Sequence, residues 1–277
     1  MKNNSPKIFG LIGNAISSSL SPAIFEYLFK RYKIDASYHL FPLDKGQLKS
    51  AVEGMRVLGL GGLNVTAPFK EEVMSDLDLL DEEARQIGAV NVICNQNGKL
   101  EGYNTDVVGI KKTLEEKLGI KEPPSTTVLI GAGGAARACL AVLQDLNPGK
   151  IMIFNRTLER ARGLSDGLNG PVQAYPLESL CEYPEYSPEV LIINATSGQH
   201  KLIQEYLDKA LSKGCKVFEL KYNLDHSPTT SNSNRYIDGL YMLACQAVET
   251  FRIWFGTKAD AEEVYRYLLK EGKRSNA

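Results

Sequence analysis

The sequence predicts an α/β protein built from two domains, and three observations predict it. Strand and helix signals alternate along most of the chain, the pattern of a mostly parallel sheet joined by crossover helices. Near the middle, Thr126-Thr127-Val128-Leu129-Ile130 runs straight into Gly131-Ala132-Gly133-Gly134-Ala135-Ala136-Arg137, a strand followed by a glycine turn and a helix start. A chain of 277 residues also exceeds the usual length of one domain. The expected division is a mostly parallel α/β domain over 1–108 and a Rossmann-type domain over 109–240. C-terminal helices in 241–277 are expected to pack back on the first domain.

The elements follow in order. Lys7 to Ile12 reads as a strand, and Ser21-Pro22 opens a helix, with Ser21 as its N-cap and Pro22 in the first helical position. Ala36 to Leu40 is a strand, Lys45 to Val57 a helix, Leu60 to Val65 a strand and Lys70 to Leu80 a helix. Val90 to Gln96 and Lys99 to Gly102 flank Asn97-Gly98, the signature of a two-residue hairpin turn. The first sheet is therefore expected to be parallel with one antiparallel hairpin. Gly109 to Leu118 reads as a connecting helix. Beyond the glycine turn, strands are expected at Lys150 to Phe154, Val190 to Ile193 and Lys216 to Leu220. Glu178 to Ser187 has few periodic apolar residues and reads as loop. Leu240 to Phe255 and Ala259 to Lys270 read as helices.

The glycine turn carries the most specific chemistry. Glycines let the backbone approach a pyrophosphate, and the following helix supplies unpaired N–H groups and a positive dipole. In an NAD-binding unit an acid roughly 20 residues further on holds the ribose 2′-hydroxyl. Here that place carries Asn155, followed by Arg156, Thr157 and Arg160. A guanidinium suits a 2′-phosphate, so the cofactor reads as NADP. The competing interpretation of Arg156 and Arg160 is an exposed basic pair at a helix start, with Thr157 as N-cap.

Composition narrows the remaining classes. Net charge is −1 with no long run of like charge, which argues against nucleic acid as a main partner. No apolar run approaches the ~20 residues of a membrane span, and Met1 to Lys7 is too polar for a signal peptide. Five scattered cysteines without a Cys-x-x-Cys pair suit free thiols in a reducing cytoplasm. His39, His200 and His226 lie far apart, so no metal is expected.

Ligands of open α/β sheets bind beyond the carboxyl ends of the strands. In the first domain those places hold Ser17, Ser18, Ser19 and Ser21; Asn64, Thr66 and Lys70; Asn91; and Asn104, Thr105 and Asp106. Hydroxyls, amides, one acid and one lysine suit a small polyhydroxylated molecule beside a nicotinamide. Singly, each has a plainer role: a helix cap, a turn residue, a solvated lysine.

As an ordered set these motifs resemble the shikimate dehydrogenase family, including its shikimate/quinate members. The resemblance runs through Gly10-Leu11-Ile12-Gly13, Ser19-Leu20-Ser21-Pro22, Asn64-Val65-Thr66-Ala67-Pro68-Phe69-Lys70, Gly88-Ala89-Val90-Asn91 and Gly102-Tyr103-Asn104-Thr105-Asp106. It continues through the glycine turn, Asn155-Arg156-Thr157, Asn194-Ala195-Thr196-Ser197, Tyr222, and Asp238-Gly239-Leu240 to Gln246. It implies reversible NADPH-dependent reduction of 3-dehydroshikimate to shikimate, in aromatic amino-acid biosynthesis, by a monomer or homodimer. The alternatives are a dehydrogenase that also takes quinate, and a non-catalytic NADP-binding regulatory module.

The resemblance also implies residue roles. Lys70 and Asp106 would form the catalytic pair. Ser19, Ser21 and Tyr222 would hold the substrate carboxylate, and Thr66, Asn91, Asp106 and Gln246 its hydroxyls. Gly131, Ala132, Gly133, Gly134, Ala135, Asn155, Arg156, Thr157 and Arg160 would hold NADP, with further contacts from Glu82, Leu220 and Gly239. The chain departs from the family's pattern at Ala15, Ser18, Gly198-Gln199-His200, Glu219, Leu224, Tyr241 and Ala247.

Overall fold

A computed structural model describes residues 7–147, 149–166, 168, 170–183, 186–198, 200–222 and 234–275. Gln199, Leu224 and His226 lie outside the described residues, as does the polar start 1–6. The chain divides into two compact units: Met1–Asp106 with Ala244–Val264, and Val107–Leu243 with Tyr265–Ala277. None of the described helices is long and apolar enough to cross a membrane.

The first unit is built on a six-stranded sheet. Its elements are β1 (Lys7–Gly13), α1 (Ser21–Tyr32), β2 (Ala36–Pro42), α2 (Leu48–Leu58), β3 (Gly62–Val65), β4 (Leu79–Leu80), α3 (Glu82–Ile87), β5 (Val92–Gln96) and β6 (Lys99–Tyr103). The order is β2-β1-β3-β5-β6-β4. β1 pairs in parallel with β2 and β3, while β5 runs antiparallel to both β3 and β6. Asn97 and Gly98 both take positive φ at the hairpin turn, as the Asn-Gly pair predicts.

Two local expectations fail in this unit, and one helix was not foreseen. Ser21 is the first residue of α1 rather than its cap; Leu20 holds the cap position, and the Ser21 N–H is taken by Ser19 Oγ at 3.3 Å. The helix expected over Lys70 to Leu80 is only a 3₁₀ turn, Glu72–Asp76, followed by β4. Its chain is drawn onto the edge of β6 by Asp78, whose carboxylate takes the Leu100 N–H at 2.7 Å and Arg56 Nη1 at 2.7 Å. Those two partners, Arg56 first, hold Asp78 below the usual carboxylate range. The unforeseen helix is α3, where Asp81 caps by accepting from the Glu83 N–H at 3.1 Å.

The second unit carries a wholly parallel sheet of order β12-β11-β10-β7-β8-β9. Its elements are α4 (Asp106–Lys112), β7 (Thr126–Ile130), α5 (Gly134–Leu146), β8 (Ile151–Asn155), α6 (Leu158–Ser165), β9 (Val172–Pro176), β10 (Val190–Asn194), α7 (Lys201–Ser212), β11 (Lys216–Glu219) and β12 (Tyr236–Ile237). The strand order reverses between β7 and β10, the switch point where dinucleotides bind in Rossmann folds. Central β7 and β10 are buried at every position, as parallel strands covered on both faces require. Edge strand β9 has only half-buried and exposed residues and carries no apolar run. α8 (Leu240–Phe255) and α9 (Ala261–Ser275) close the chain.

Two further readings change here. Part of the expected loop at Glu178 to Ser187 is a 3₁₀ helix, Leu177–Glu182, because Leu177 and Leu180 are both buried and three residues apart. The connecting helix starts at Asp106 and widens into a π-helical segment, Thr113–Lys117, where Thr113 Oγ1 bonds back to the Gly109 carbonyl at 2.7 Å.

An aromatic cluster anchors the first unit. Phe9 of β1, Phe25 of α1, Tyr38 of β2 and Trp254 of α8 pack ring on ring, with Phe9–Trp254 centroids 4.6 Å apart and Phe25–Tyr38 stacked at 4.5 Å. Trp254 also donates to the Ile93 carbonyl at 3.1 Å. Its indole lies on Gly62, where a methyl group would overlap the ring. Gly62→Ala should therefore cost about 1–3 kcal/mol. It should also shift the emission of the chain's single tryptophan. Urea unfolding followed by fluorescence checks both; an unchanged midpoint and spectrum would show that the contact does not constrain the fold.

Candidate active site

Lys70 and Asp106 meet at the carboxyl end of the first unit's sheet. Lys70 Nζ lies 2.5 Å from Asp106 Oδ2, with side chains 15% and 1% exposed. β3 delivers the first partner. Its last residue, Val65, is followed by Thr66, the cis Ala67–Pro68 bond and Phe69, which is fully buried. Lys70 is then tied down through its carbonyl, which takes the Val90 N–H at 2.8 Å. β6 delivers the second, since Asn104-Thr105-Asp106 follows Tyr103 directly.

A buried carboxylate needs donors, and Asn91 supplies one. Its Nδ2 donates to Asp106 Oδ1 at 2.9 Å and to Thr105 Oγ1 at 3.1 Å. The Thr105 N–H donates to Asn91 Oδ1 at 2.8 Å, which fixes the amide with its nitrogen toward the acid. Asn104 closes the turn by accepting the Asp106 N–H at 3.0 Å and donating to the Ala89 carbonyl at 2.9 Å. Asp106 thus holds one amide donor and one ammonium, the pairing that makes a buried charge tolerable.

The serine pair lies between β1 and α1. Ser19 Oγ and Ser21 Oγ are 3.2 Å apart and half-buried. Tyr38, a buried residue, donates to Asn64 Oδ1 at 2.9 Å. Burial pushes its hydroxyl well above the ordinary tyrosine range, and a hydrogen bond with Ser21 opposes that shift. Asn64 Nδ2 continues to the Asn91 carbonyl at 3.3 Å and Thr250 Oγ1 at 3.4 Å. Gln246 of α8 has a buried Oε1 with no hydrogen-bond partner among the described residues. A buried, unpaired acceptor suits a ligand hydroxyl.

Among the expected site residues, Ser19, Ser21, Thr66, Lys70, Asn91, Asp106 and Gln246 fall in the first unit. Glu82 is there too, exposed in the first turn of α3 with its Oε1 accepting from Gln86 at 3.3 Å. Tyr222 is half-buried in the second unit. Tyr38 and Thr250 were missed by sequence reading. Thr250 had a signal, four residues after Gln246 on one helix and so on the same face.

In the second unit, β7 is followed directly by Gly131 at φ +116°, a conformation that favours glycine. Its backbone lies against Ala195, where a side chain would press on the Ala195 carbonyl. Gly133 caps α5 without any side-chain bond, and a Cβ there would point into open space. The arrangement is an uncovered cradle of backbone N–H groups at the start of a 13-residue helix, the donor set a pyrophosphate needs. Asn155 ends β8, with Arg156 and Arg160 exposed just beyond it. Thr157 holds the cap position of α6, yet its side chain makes no capping bond, contrary to expectation; Asn155 Nδ2 instead donates to the Thr157 carbonyl at 2.8 Å. Leu220 and Gly239 lie together, the glycine packed on the Leu220 carbonyl.

The departures at Tyr241 and Glu219 find structural roles in the second unit. Tyr241 is buried, its hydroxyl donates to Glu116, and Lys117 Nζ sits 4.1 Å from its ring centroid. Glu219 accepts from Asn194 Nδ2 at 3.0 Å and from the Tyr236 hydroxyl at 2.8 Å, linking the carboxyl ends of β10 and β11 to the first residue of β12.

Comparison with known proteins gives one consistent family. Residues 11–93 match the shikimate dehydrogenase substrate binding domain, residues 114–218 the shikimate / quinate 5-dehydrogenase model, and residues 239–269 the shikimate 5′-dehydrogenase C-terminal domain. A relative in Pyrococcus furiosus, named shikimate dehydrogenase (NADP(+)), is 37% identical over 279 residues, covering 97% of both chains. The crystal structure of shikimate dehydrogenase from Aquifex aeolicus superposes with TM-score 0.81 at 31% identity, covering 97% of this chain and 99% of that one. The Thermus thermophilus shikimate 5-dehydrogenase, solved with NADP(H) and shikimate, superposes with TM-score 0.76 at 28% identity, covering 97% and 99%. With its ordered motifs, its two sheets and a full-length relative of this similarity, the chain belongs to the shikimate dehydrogenase family.

Proposed function

We propose that this chain reduces 3-dehydroshikimate to shikimate with NADPH, reversibly, and that Lys70 moves the proton. The observation that carries the proposal is the enclosed Lys70–Asp106 pair, an acid–base couple with no plain structural need to be buried. The first unit binds the substrate and the second holds NADP.

Each residue then has a physical task. The Ser19 and Ser21 hydroxyls, with the Tyr222 hydroxyl, donate to the ring carboxylate. Thr66, Asn91, Asp106 and Gln246 bind ring hydroxyls, and the unpaired Gln246 Oε1 accepts from one of them. NADPH supplies the hydride when bound. The Lys70 ammonium stabilises the negative charge that grows on the carbonyl oxygen, then donates the proton that makes it a hydroxyl. Asp106 orients that ammonium through the 2.5 Å contact. In the oxidative direction Lys70 accepts the proton back.

The α5 N-terminus, from Gly131 to Ala135, cradles the pyrophosphate, while Asn155, Arg156, Thr157 and Arg160 hold the adenosine 2′-phosphate. Guanidiniums suit that group, since each can pair with phosphate oxygens through two parallel N–H donors. Glu82, Leu220 and Gly239 supply further cofactor contacts. The protein works in the cytoplasm, in keeping with five free cysteines, of which Cys181 is exposed. It works as a monomer or homodimer.

Absorbance at 340 nm, pairing shikimate or quinate with NADP or NAD, tests substrate and cofactor together. Shikimate with NADP should be fastest; a faster quinate reaction would reassign the substrate. Lys70→Ala should lower turnover by ~10²–10⁴-fold with NADPH affinity nearly intact. A parallel loss of affinity would make Lys70 a cofactor ligand instead. Arg156→Asp should weaken NADP sharply and NAD little, measured as KM for each; equal losses would contradict the 2′-phosphate role.

A further inference from the structure

Thr250 lies on α8, one turn beyond Gln246, and is completely buried. A threonine hydroxyl has one proton and two lone pairs. The proton goes to the Gln246 carbonyl at 2.9 Å. That leaves the oxygen as acceptor for its two other neighbours, Asn64 Nδ2 and Thr105 Oγ1, both at 3.4 Å. The direction of the next bond follows. In its bond to Thr250, Thr105 is the donor, in competition with its other acceptor, Asn91 Oδ1 at 3.3 Å, and it uses a lone pair to accept from Asn91 Nδ2 at 3.1 Å. The amide's other proton is on Asp106. A head-to-tail chain results, from the Asn91 amide through the Thr105 and Thr250 hydroxyls to the backbone of α8.

We infer that Thr250 is a positioning residue for the reaction: its hydroxyl couples the backbone carrying Gln246 to the amide that orients Asp106, and through Asp106 to Lys70. The inference rests on the reading of Lys70 and Asp106 as the reacting pair. Without the Thr250 oxygen, the Thr105 hydroxyl is left with Asn91 Oδ1, 3.3 Å away, an oxygen that also accepts the Thr105 N–H. Asn64 would keep a single amide partner, the Asn91 carbonyl. The first loss falls on the Asn91 amide, and so on the carboxylate it holds. Chains of this kind strengthen each bond through its neighbours, so removing a middle member weakens the ends.

The test compares Thr250→Val, which keeps the shape and removes the hydroxyl, with Thr250→Ser, which keeps the hydroxyl and removes a methyl. Shikimate oxidation by the full chain is followed at 340 nm, with KM for both substrates and thermal unfolding. Val should lower kcat about three- to tenfold and raise KM for shikimate, with KM for NADP changed by less than about twofold. Ser should recover most of the turnover. The proposal is overturned if Val matches wild type, if Ser is as impaired as Val, or if KM for NADP rises in step with the loss of kcat. Should Val not fold, Thr250→Cys replaces it, since sulfur is a weak acceptor; Cys must then fall below Ser, and equality overturns the proposal. An inactive wild type removes the reading of the site and this inference with it. An active wild type with an unaffected Val variant removes this inference alone.

Discussion

Burying the Asp106 carboxylate is the constraint on which the first unit's site depends. An ionised carboxylate with 1% of its side chain exposed is costly unless both oxygens find donors. Lys70 serves one oxygen and Asn91 the other. Removing either partner of a buried ion pair typically costs about 3–5 kcal/mol, because the other charge is left uncompensated. Such a pair persists only where the backbone over-determines it. Here the Lys70 carbonyl is held by Val90, the Asn91 N–H by the Tyr103 carbonyl, and the Asp106 N–H by Asn104. The antiparallel β5–β6 hairpin brings Asn91 and Asp106 to the same end of the sheet, since Asn91 precedes one strand and Asp106 follows the other.

The second unit meets its electrostatic task differently. The turn before α5 presents backbone N–H groups, which cost no side-chain order and cannot titrate. The turn is held in shape by packing: Gly131 sits against Ala195, and the Ala195 N–H bonds the Ile130 carbonyl at 2.8 Å. Asn194 organises that segment by accepting from both the N–H and the hydroxyl of Thr196. Glu219 and Tyr236 extend the tie across the neighbouring strands. The cationic residues lie at the exposed end of β8, where water moderates their repulsion.

Much of this was legible in the chain. The Asn97-Gly98 turn specified the hairpin, and the glycine turn after Ile130 specified the switch-point strand of the Rossmann sheet. The Lys70 and Asp106 motifs are local, so the resemblance could be followed residue by residue. Legibility failed where tertiary contacts override local pattern. Lys70 to Leu80 carries a helical pattern, yet Asp78 bonds Arg56 and the Leu100 N–H, and Leu79–Leu80 pairs with β6 instead. β9 is an edge strand with a polar surface, and β4 and β12 have only two residues each, too short for a period-2 signal.

By itself the sequence determined the two-unit α/β plan, the nucleotide-type turn and the identity of the polar residues at the strand ends. These depend on side-chain period, backbone freedom and composition, which act over a few residues. Only the tertiary structure decided how those polar groups share their protons. It placed Tyr38 and Thr250 among them from a strand and a helix more than 200 residues apart in sequence. Hydrogen-bond direction is a property of neighbours in space, and a linear pattern carries no record of which distant hydroxyl will face which amide.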